Sequence, residues 1–311
     1  MTLDTLTESI EKPAEVLLDS FQGTDRFVTL FHEFFGFKEN PFANTPDPSF
    51  FYLSPRHKEA LTNLAFGVRQ RRGFIVITGE VGSGKTTLCR YFLRFLPPEM
   101  KTAVVLNPMI SSSHLLASIA ADFGIPEPGR SKRVIYRSLL KFLLEGIERQ
   151  QNACLVIDEA QCLSRDLLEE IRLLSNLETS KQKLLQIVLM GQPEFQGRLR
   201  QTGLRQLRER ISIYMHLDGL GMEEVGPYIR HRLEMGSVGP VTVRFQEEVI
   251  EKIARMSRGI PRLINTICDR ILMAAFAAGE REISMALAAG AFQEMNFICG
   301  GEKKPREERP T

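Results

Sequence analysis

The sequence predicts an α/β protein: a mostly parallel β-sheet with helices on both faces, followed by a small all-α domain. Three observations carry this. Between residues 73 and 217 short apolar runs alternate with helical patterns, which is how strand–helix units of a parallel sheet read. After Leu217 the strand pattern stops and helical periodicity takes over. The first apolar run is joined to the helix after it by a glycine-rich loop, the arrangement found at the C-terminal edge of parallel sheets.

Residues 1–30 are polar and acidic with weak periodicity, and read as a flexible arm or one loose helix. Residues 31–55, FHEFFGFKENPFANTPDPSFFYLSP, are rich in aromatics and prolines without a regular period, and are expected to wrap the surface of the following domain. A helix is expected over 56–70, with Leu61, Leu64, Ala65 and Val68 on one face. The expected strands are 74–78, 103–106, 153–157, 185–190 and 211–215, with helices near 85–96, 113–123, 131–150 and 164–178 between them. Helices near 223–235, 246–257, 261–278 and 284–297 make up the second domain. The tail 299–311 is charged, bears prolines and is expected to be disordered.

Composition is that of an ordinary globular protein, 43% hydrophobic and 25% charged over 311 residues. Forty basic against thirty-eight acidic side chains give a net charge of +2, which neither demands nor excludes nucleic acid. Cys89, Cys154, Cys162, Cys268 and Cys299 form no C-x-x-C pair and no metal spacing with histidine. Cys89 and Cys154 fall in expected core elements and read as small buried thiols, which suits a reducing compartment. No apolar run approaches a membrane span; the longest candidate, 271–278, is flanked by Arg270 and Glu280 and reads as a core helix. No signal-peptide pattern stands at the N-terminus, and a cytoplasmic location is expected.

The chemistry starts at Gly79-Glu80-Val81-Gly82-Ser83-Gly84-Lys85-Thr86, which fits the phosphate loop G-x-x-x-x-G-K-[ST]. Its glycines let the backbone turn so that successive amides face one anion, and the helix after it adds unpaired N–H donors. Lys85 is then placed for β and γ phosphates and the Thr86 hydroxyl for Mg²⁺. A second signal is the apolar run 154–157 ending in Asp158-Glu159, two carboxylates at a strand end. Asp158 is positioned to hold Mg²⁺, and Glu159 to polarise the attacking water and accept its proton. Read singly, three further signals are weaker. Gln192 follows the run 185–190 and is the candidate to orient water. Arg205, Arg208 and Arg210 precede the last strand, where a solvated helix face explains them equally well. Arg262 follows Gly259-Ile260-Pro261, ordinary helix-start chemistry that leaves the arginine unexplained.

In this order these signals resemble the AAA+ ATPases, whose three-layer α/β domain carries a helical lid. The resemblance implies that 31–218 is the nucleotide-binding domain, Gly79–Thr87 its phosphate loop and 219–298 the lid. It makes Lys85 and Thr86 the Walker A pair, Asp158 and Glu159 Walker B, Gln192 the first sensor and Arg262 the second. Arg210 best matches the arginine finger given to a neighbouring subunit, with Arg208 its rival. A narrower resemblance covers nearly all of 31–297. FFGFKENPF, ITGEVGSGKTTLCR, IDEAQCL, LLSNLETSKQKLLQIVLMGQPEF, QLRERI and GIPRLINTICDR are similar to the ExeA/GspA family. Its ATPases serve type II secretion and resemble those of MshM-type pili and of exopolysaccharide and exosortase loci. Long members add a membrane helix and a peptidoglycan-binding domain; the sequence ends at Thr311 with neither, so a stand-alone ATPase, or one leaning on a membrane partner, is expected.

The resulting expectation is an Mg²⁺-dependent ATPase acting as motor or switch for an envelope secretion, pilus or polysaccharide-export assembly. It would be cytoplasmic or peripheral at the inner membrane, and active as a ring-shaped homo-oligomer such as a hexamer. One rival is a DNA-transposition regulator of the TniB or IstB kind, with Arg69, Arg71, Arg72, Arg198, Arg200 and Arg205 as phosphate contacts. The near-neutral charge disfavours it. The other is a nucleotide-gated scaffold with little turnover, against which the intact Glu159 argues.

Overall fold

The computed structural model describes residues 24–298, apart from Asn107, Ile110, residues 127–130 and Lys181. The expected tail 299–311, Cys299 and residues 1–23 of the expected arm lie outside the described residues. In chain order the elements begin with α1 (Thr24–Phe35) and α2 (Pro55–Arg69), then β1 (Phe74–Gly79), α3 (Lys85–Arg94), β2 (Lys101–Val105), α4 (Ser112–Asp122) and α5 (Lys132–Glu148). They continue with β3 (Ala153–Ile157), α6 (Arg165–Leu174), β4 (Gln186–Gly191), α7 (Pro193–Leu199), α8 (Arg205–Arg208) and β5 (Ile211–Leu217). The last are α9 (Met222–Gly236), β6 (Arg244–Phe245), α10 (Glu247–Ser257), α11 (Pro261–Ala278), β7 (Glu282–Ile283) and α12 (Met285–Ile298). The chain divides into two compact units: Leu53–Asp218, and the described residues up to Tyr52 together with those from Gly219 onward.

The first unit is an α/β layer structure around a sheet of order β2-β3-β4-β1-β5, with every neighbouring pair parallel. Strands β1, β3 and β4 are wholly buried, because helices cover both faces of a parallel sheet; their unbroken Ile, Val and Leu runs follow. The edge strand β5 instead alternates, leaving Ser212, Tyr214 and His216 exposed. Its pairing continues two residues past the expected end, to Leu217 beside Gly79. Helix starts follow local chemistry: Ser54, Ser111 and Ser164 each accept the N–H three residues on. Helix α7 was not expected, being too short to show a period, and α8 is the short helix that the reading of Arg205 and Arg208 as a helix face allowed. Arg71 fastens the N-terminal edge of the sheet, its guanidinium donating to the carbonyls of Lys183 (3.4 Å) and Gln151 (3.2 Å). Cys89 and Cys154 are buried free thiols, and burial alone pushes the Cys154 thiol up to about 12.

The second unit differs from expectation in two ways. It is not all-helical, since β6 and β7 pair in parallel, Arg244 beside Glu282 and Phe245 beside Ile283. Strands of two residues are too short to show alternation in a sequence. The second correction concerns 31–55, expected on the surface of the α/β domain, and the 31–218 boundary with it. Residues up to Tyr52 belong to the helical unit. Phe31, Phe35, Phe37 and Phe42 join Val225, Ile229, Leu233, Ile264 and Ile271 in one core. Each such phenylalanine contributes about 1.5–3 kcal/mol by burial, more than a surface wrap would. The polar fastening is equally specific. Arg232 is buried, donates to the carbonyls of Pro41 and Ala43, and lies 4.5 Å from the Phe50 ring centre. Asn40 donates to Asp269 at 2.8 Å, and a Cβ on Gly236 would meet Pro41 Cγ at 2.8 Å.

Candidate nucleotide site

In an all-parallel sheet every strand delivers its C-terminal end to one edge. That edge of the α/β unit collects Gly79 at the end of β1, Asp158 after β3 and Gln192 after β4. The phosphate loop is formed as its sequence requires. Gly82 and Gly84 have φ of 82° and 96°. A Cβ on Gly79 would lie 2.5 Å from the Leu217 carbonyl and 2.8 Å from Ser83 Oγ. Gly84 is the N-cap of α3 and, having no side chain, makes no side-chain capping hydrogen bond at that terminus. Lys85 is buried, its Nζ donating to the carbonyls of Gly79 and Glu80 at 2.8 Å each. Ser83 Oγ is buried without a partner among the described residues.

Thr86 Oγ1 donates to Asp158 Oδ2 at 2.6 Å, closing the gap between phosphate loop and β3. Asp158 is 4% exposed, and its other oxygen accepts the Glu159 N–H at 2.8 Å. Glu159 turns with φ 52° into a short 3₁₀ turn, Ala160–Cys162. Gln192 Nε2 donates to Glu159 Oε2 at 3.3 Å. The structure thus brings together Lys85, Thr86, Asp158, Glu159 and Gln192. This set fits a nucleotide triphosphate with a hard divalent cation: loop amides and one ammonium for phosphate, a hydroxyl and a carboxylate for the metal. Among the described residues no cluster of three or more His, Cys, Asp or Glu offers a metal site by itself. The buried, unpartnered Ser83 hydroxyl and the glycine-lined turn are further features of such a cradle.

The arginines are placed differently. Arg205 is exposed and paired with Glu209 at 2.7 Å. Arg208 donates to the carbonyls of Leu199 (3.4 Å) and Arg200 (3.2 Å), and Arg210, half-buried, to Ser175 Oγ at 3.1 Å. Arg262 belongs to the helical unit, at the second position of α11, and is exposed; among the described residues its guanidinium makes no hydrogen bond or ion pair. The turn before it is fixed: Gly259 has φ 72°, and a Cβ there would fall 1.9 Å from the Leu220 carbonyl. Of the arginines weighed as DNA contacts, Arg71 is spent on the carbonyls described above, and Arg198 holds those of Gln161 and Leu163.

Two residues escaped sequence reasoning. His57 is 4% exposed; its Nδ1 shares a 2.8 Å hydrogen bond with Ser54 Oγ, and its ring lies against the phosphate loop, with Nε2 3.1 Å from where a Cβ on Gly84 would stand. Burial lowers its pKa to about 4, the Ser83 backbone opposing weakly, so the ring is neutral near pH 7. Its signal was the Ser54-Pro55-x-His57 helix start. Gln161 bridges Glu159 and Gln192, and its signal was a polar side chain inside IDEAQCL.

Fold, loop and carboxylate pair define a nucleotide-binding protein of the AAA+ P-loop class. The family described as "AAA domain" matches residues 68–199. The chain is an AAA+ protein of the ExeA/GspA-like family: it is 43% identical over 256 residues to "General secretion pathway protein A" of Aeromonas hydrophila, covering 82% of this chain and 46% of that protein. It is 27% identical over 174 residues to "ATP-dependent target DNA activator B" of Escherichia phage Mu, covering 56% of this chain and 52% of that one. The chain therefore spans about half the length of the curated relatives it matches. Among solved structures, Cdc6p of Pyrobaculum aerophilum superposes with a TM-score of 0.62 at 18% identity, covering 79% of this chain and 70% of that one, a likeness of fold. Among the described residues no helix is long and apolar enough to cross a membrane.

Proposed function

We propose that the chain hydrolyses ATP at this site as a homo-oligomer and serves, as motor or switch, an envelope assembly for protein, pilus or polysaccharide export. The observation that carries hydrolysis is the continuous set Thr86–Asp158–Glu159–Gln192 beside Lys85. The loop residues Gly79, Glu80, Val81, Gly82, Ser83, Gly84, Lys85, Thr86 and Thr87 hold the phosphates. Thr86 and Asp158 would hold Mg²⁺, which when bound would supply positive charge to the phosphates. Glu159 accepts the proton of the attacking water while Gln192 orients it, and the phosphoanhydride bond breaks. Arg262 serves the nucleotide of its own chain, and Arg210 that of a neighbour, stabilising charge at the γ-phosphate. To do so Arg210 exchanges its Ser175 contact for phosphate; Arg208, the more exposed, is its rival.

Likeness to General secretion pathway protein A supports the secretion partner and a cytoplasmic location peripheral to the inner membrane. Affinity capture with an ATP-locked Glu159→Gln chain tests it: co-purifying envelope components support the reading, and co-purifying transposition proteins favour the DNA-linked one. That second reading draws on the likeness to the phage Mu activator. The shared site is tested by specific ATPase activity against protein concentration. We expect activity to rise with concentration. We also expect Arg210→Ala to bind ATP without turnover and to regain activity when mixed with Lys85→Ala. Concentration-independent turnover without complementation contradicts a finger in trans.

A further inference from the structure

We infer that Gln161 is a positioning residue for hydrolysis, a polar strut that ties the base Glu159 to the water-orienting Gln192. The inference rests on the proposed ATPase reading and extends it to a side chain outside the motif positions.

The geometry fixes what Gln161 does. Its Nε2 lies against Glu159 Oε2, and its Oε1 accepts the main-chain N–H of Gln192 at 3.0 Å. A carboxylate only accepts and a main-chain N–H only donates, so the amide orientation follows from its partners. Glu159 Oε2 thus meets two amide donors, Gln161 Nε2 and Gln192 Nε2. The strut itself is anchored. Arg198 on α7 donates to the carbonyls of Gln161 and, at 2.6 Å, Leu163, gripping the turn Ala160–Cys162 and the residue after it. Space on the other side is closed: a Cβ on Gly191 would approach Gln161 Oε1 to 3.2 Å and Phe195 Cβ to 3.0 Å. The ends of β3 and β4 are therefore coupled by one amide that satisfies both, and a base swinging free of Gln192 would first have to break it. A general base is effective only when held at hydrogen-bond distance from its water, so this contact acts on the catalytic step rather than on nucleotide binding.

The test compares wild type, Gln161→Leu, Gln161→His and Glu159→Gln in the full chain, each checked for folding by circular dichroism. Gln161→Leu is expected to lower kcat about tenfold or more while changing KM for ATP by less than about threefold. Neutral histidine carries one donor and one acceptor, the pattern Gln161 uses, so Gln161→His should recover kcat to within about threefold of wild type. A readout independent of turnover is the Gln161 side-chain amide resonance, identified by its loss in Gln161→Leu; it should shift in Glu159→Gln. An unmoved resonance overturns the contact. Wild-type kcat in Gln161→Leu, with Glu159→Gln inactive, overturns the role while leaving the ATPase reading intact. A fall in kcat that histidine does not relieve overturns the donor–acceptor account. Should wild type itself fail to hydrolyse ATP, the ATPase reading fails and the positioning role with it, while the resonance separately decides whether the strut exists.

Discussion

In the α/β unit the groups with chemistry stand directly after a strand or, for Lys85 and Thr86, at the start of the helix that follows the phosphate loop, and the sheet delivers all of them to one edge. Lys85, Thr86, Asp158 and Gln192 need only β1, β3 and β4 in parallel order to meet. The helical unit is assembled by a segment remote in sequence from the helices it completes: Asn40 reaches Asp269, and Arg232 reaches back to Pro41 and Ala43. Parallel-sheet topology makes local motifs converge; an aromatic strap converges only through individual long-range contacts. The first arrangement tolerates change between its motifs, and the second depends on a few buried side chains.

The largest effect is expected where that contrast is sharpest. Arg232→Ala removes the donors of two main-chain carbonyls and a cation over Phe50, and should destabilise the helical unit by about 4 kcal/mol. Limited proteolysis should cut first between residues 36 and 50. Unchanged thermal stability would mean that the phenylalanine cluster alone holds the strap.

The comparison predicts the converse for the α/β unit, where one buried histidine supports the loop. The folded pKa of His57 lies at about 4 against an ordinary 6.5, so the unfolded chain takes the proton first. The stability that neutral His57 contributes is complete above pH 6.5, falls as pH drops from 6.5 to 4, and is lost below. At about 1.4 kcal/mol per unit the loss is on the order of 3 kcal/mol. Urea unfolding across this range should show the decline in wild type and a flatter dependence in His57→Gln. An equal slope in both would assign the acid sensitivity to other groups.

How much of this was legible follows the same division. The phosphate loop, Asp158-Glu159 and five strands could be read because each is a local pattern: glycines before a helix, acids after an apolar run, β-branched stretches. His57 and Gln161 were missed because their roles exist only beside Gly84 and in contact with Gln192, far along the chain. The strap 31–52 was misassigned because Phe31, Phe35, Phe37 and Phe42 follow no single period and so name no partner surface. Strands β6 and β7 hold two residues each and show no alternation. The arginines stay ambiguous in sequence because exposed arginines before a strand look alike whether solvated or functional.

The smallest effect is expected at the ion pair Arg205–Glu209, exposed on both sides. Arg205→Ala should alter stability by less than about 0.5 kcal/mol, as such pairs usually do. It should leave ATP turnover unchanged as well, separating Arg205 from Arg208 and Arg210. Loss of turnover without loss of stability would instead make Arg205 the arginine that serves a neighbour.

The central claim is that the carboxylate after β3 does chemistry on a nucleotide held by the loop after β1. The most direct measurement is phosphate release by wild type and Glu159→Gln at saturating Mg·ATP, with nucleotide binding measured on the same samples. The account predicts equal binding and release slower by on the order of a hundredfold or more in the variant, because the amide keeps the shape and loses the base. Equal rates would contradict it, and would move the proton-accepting role away from Glu159.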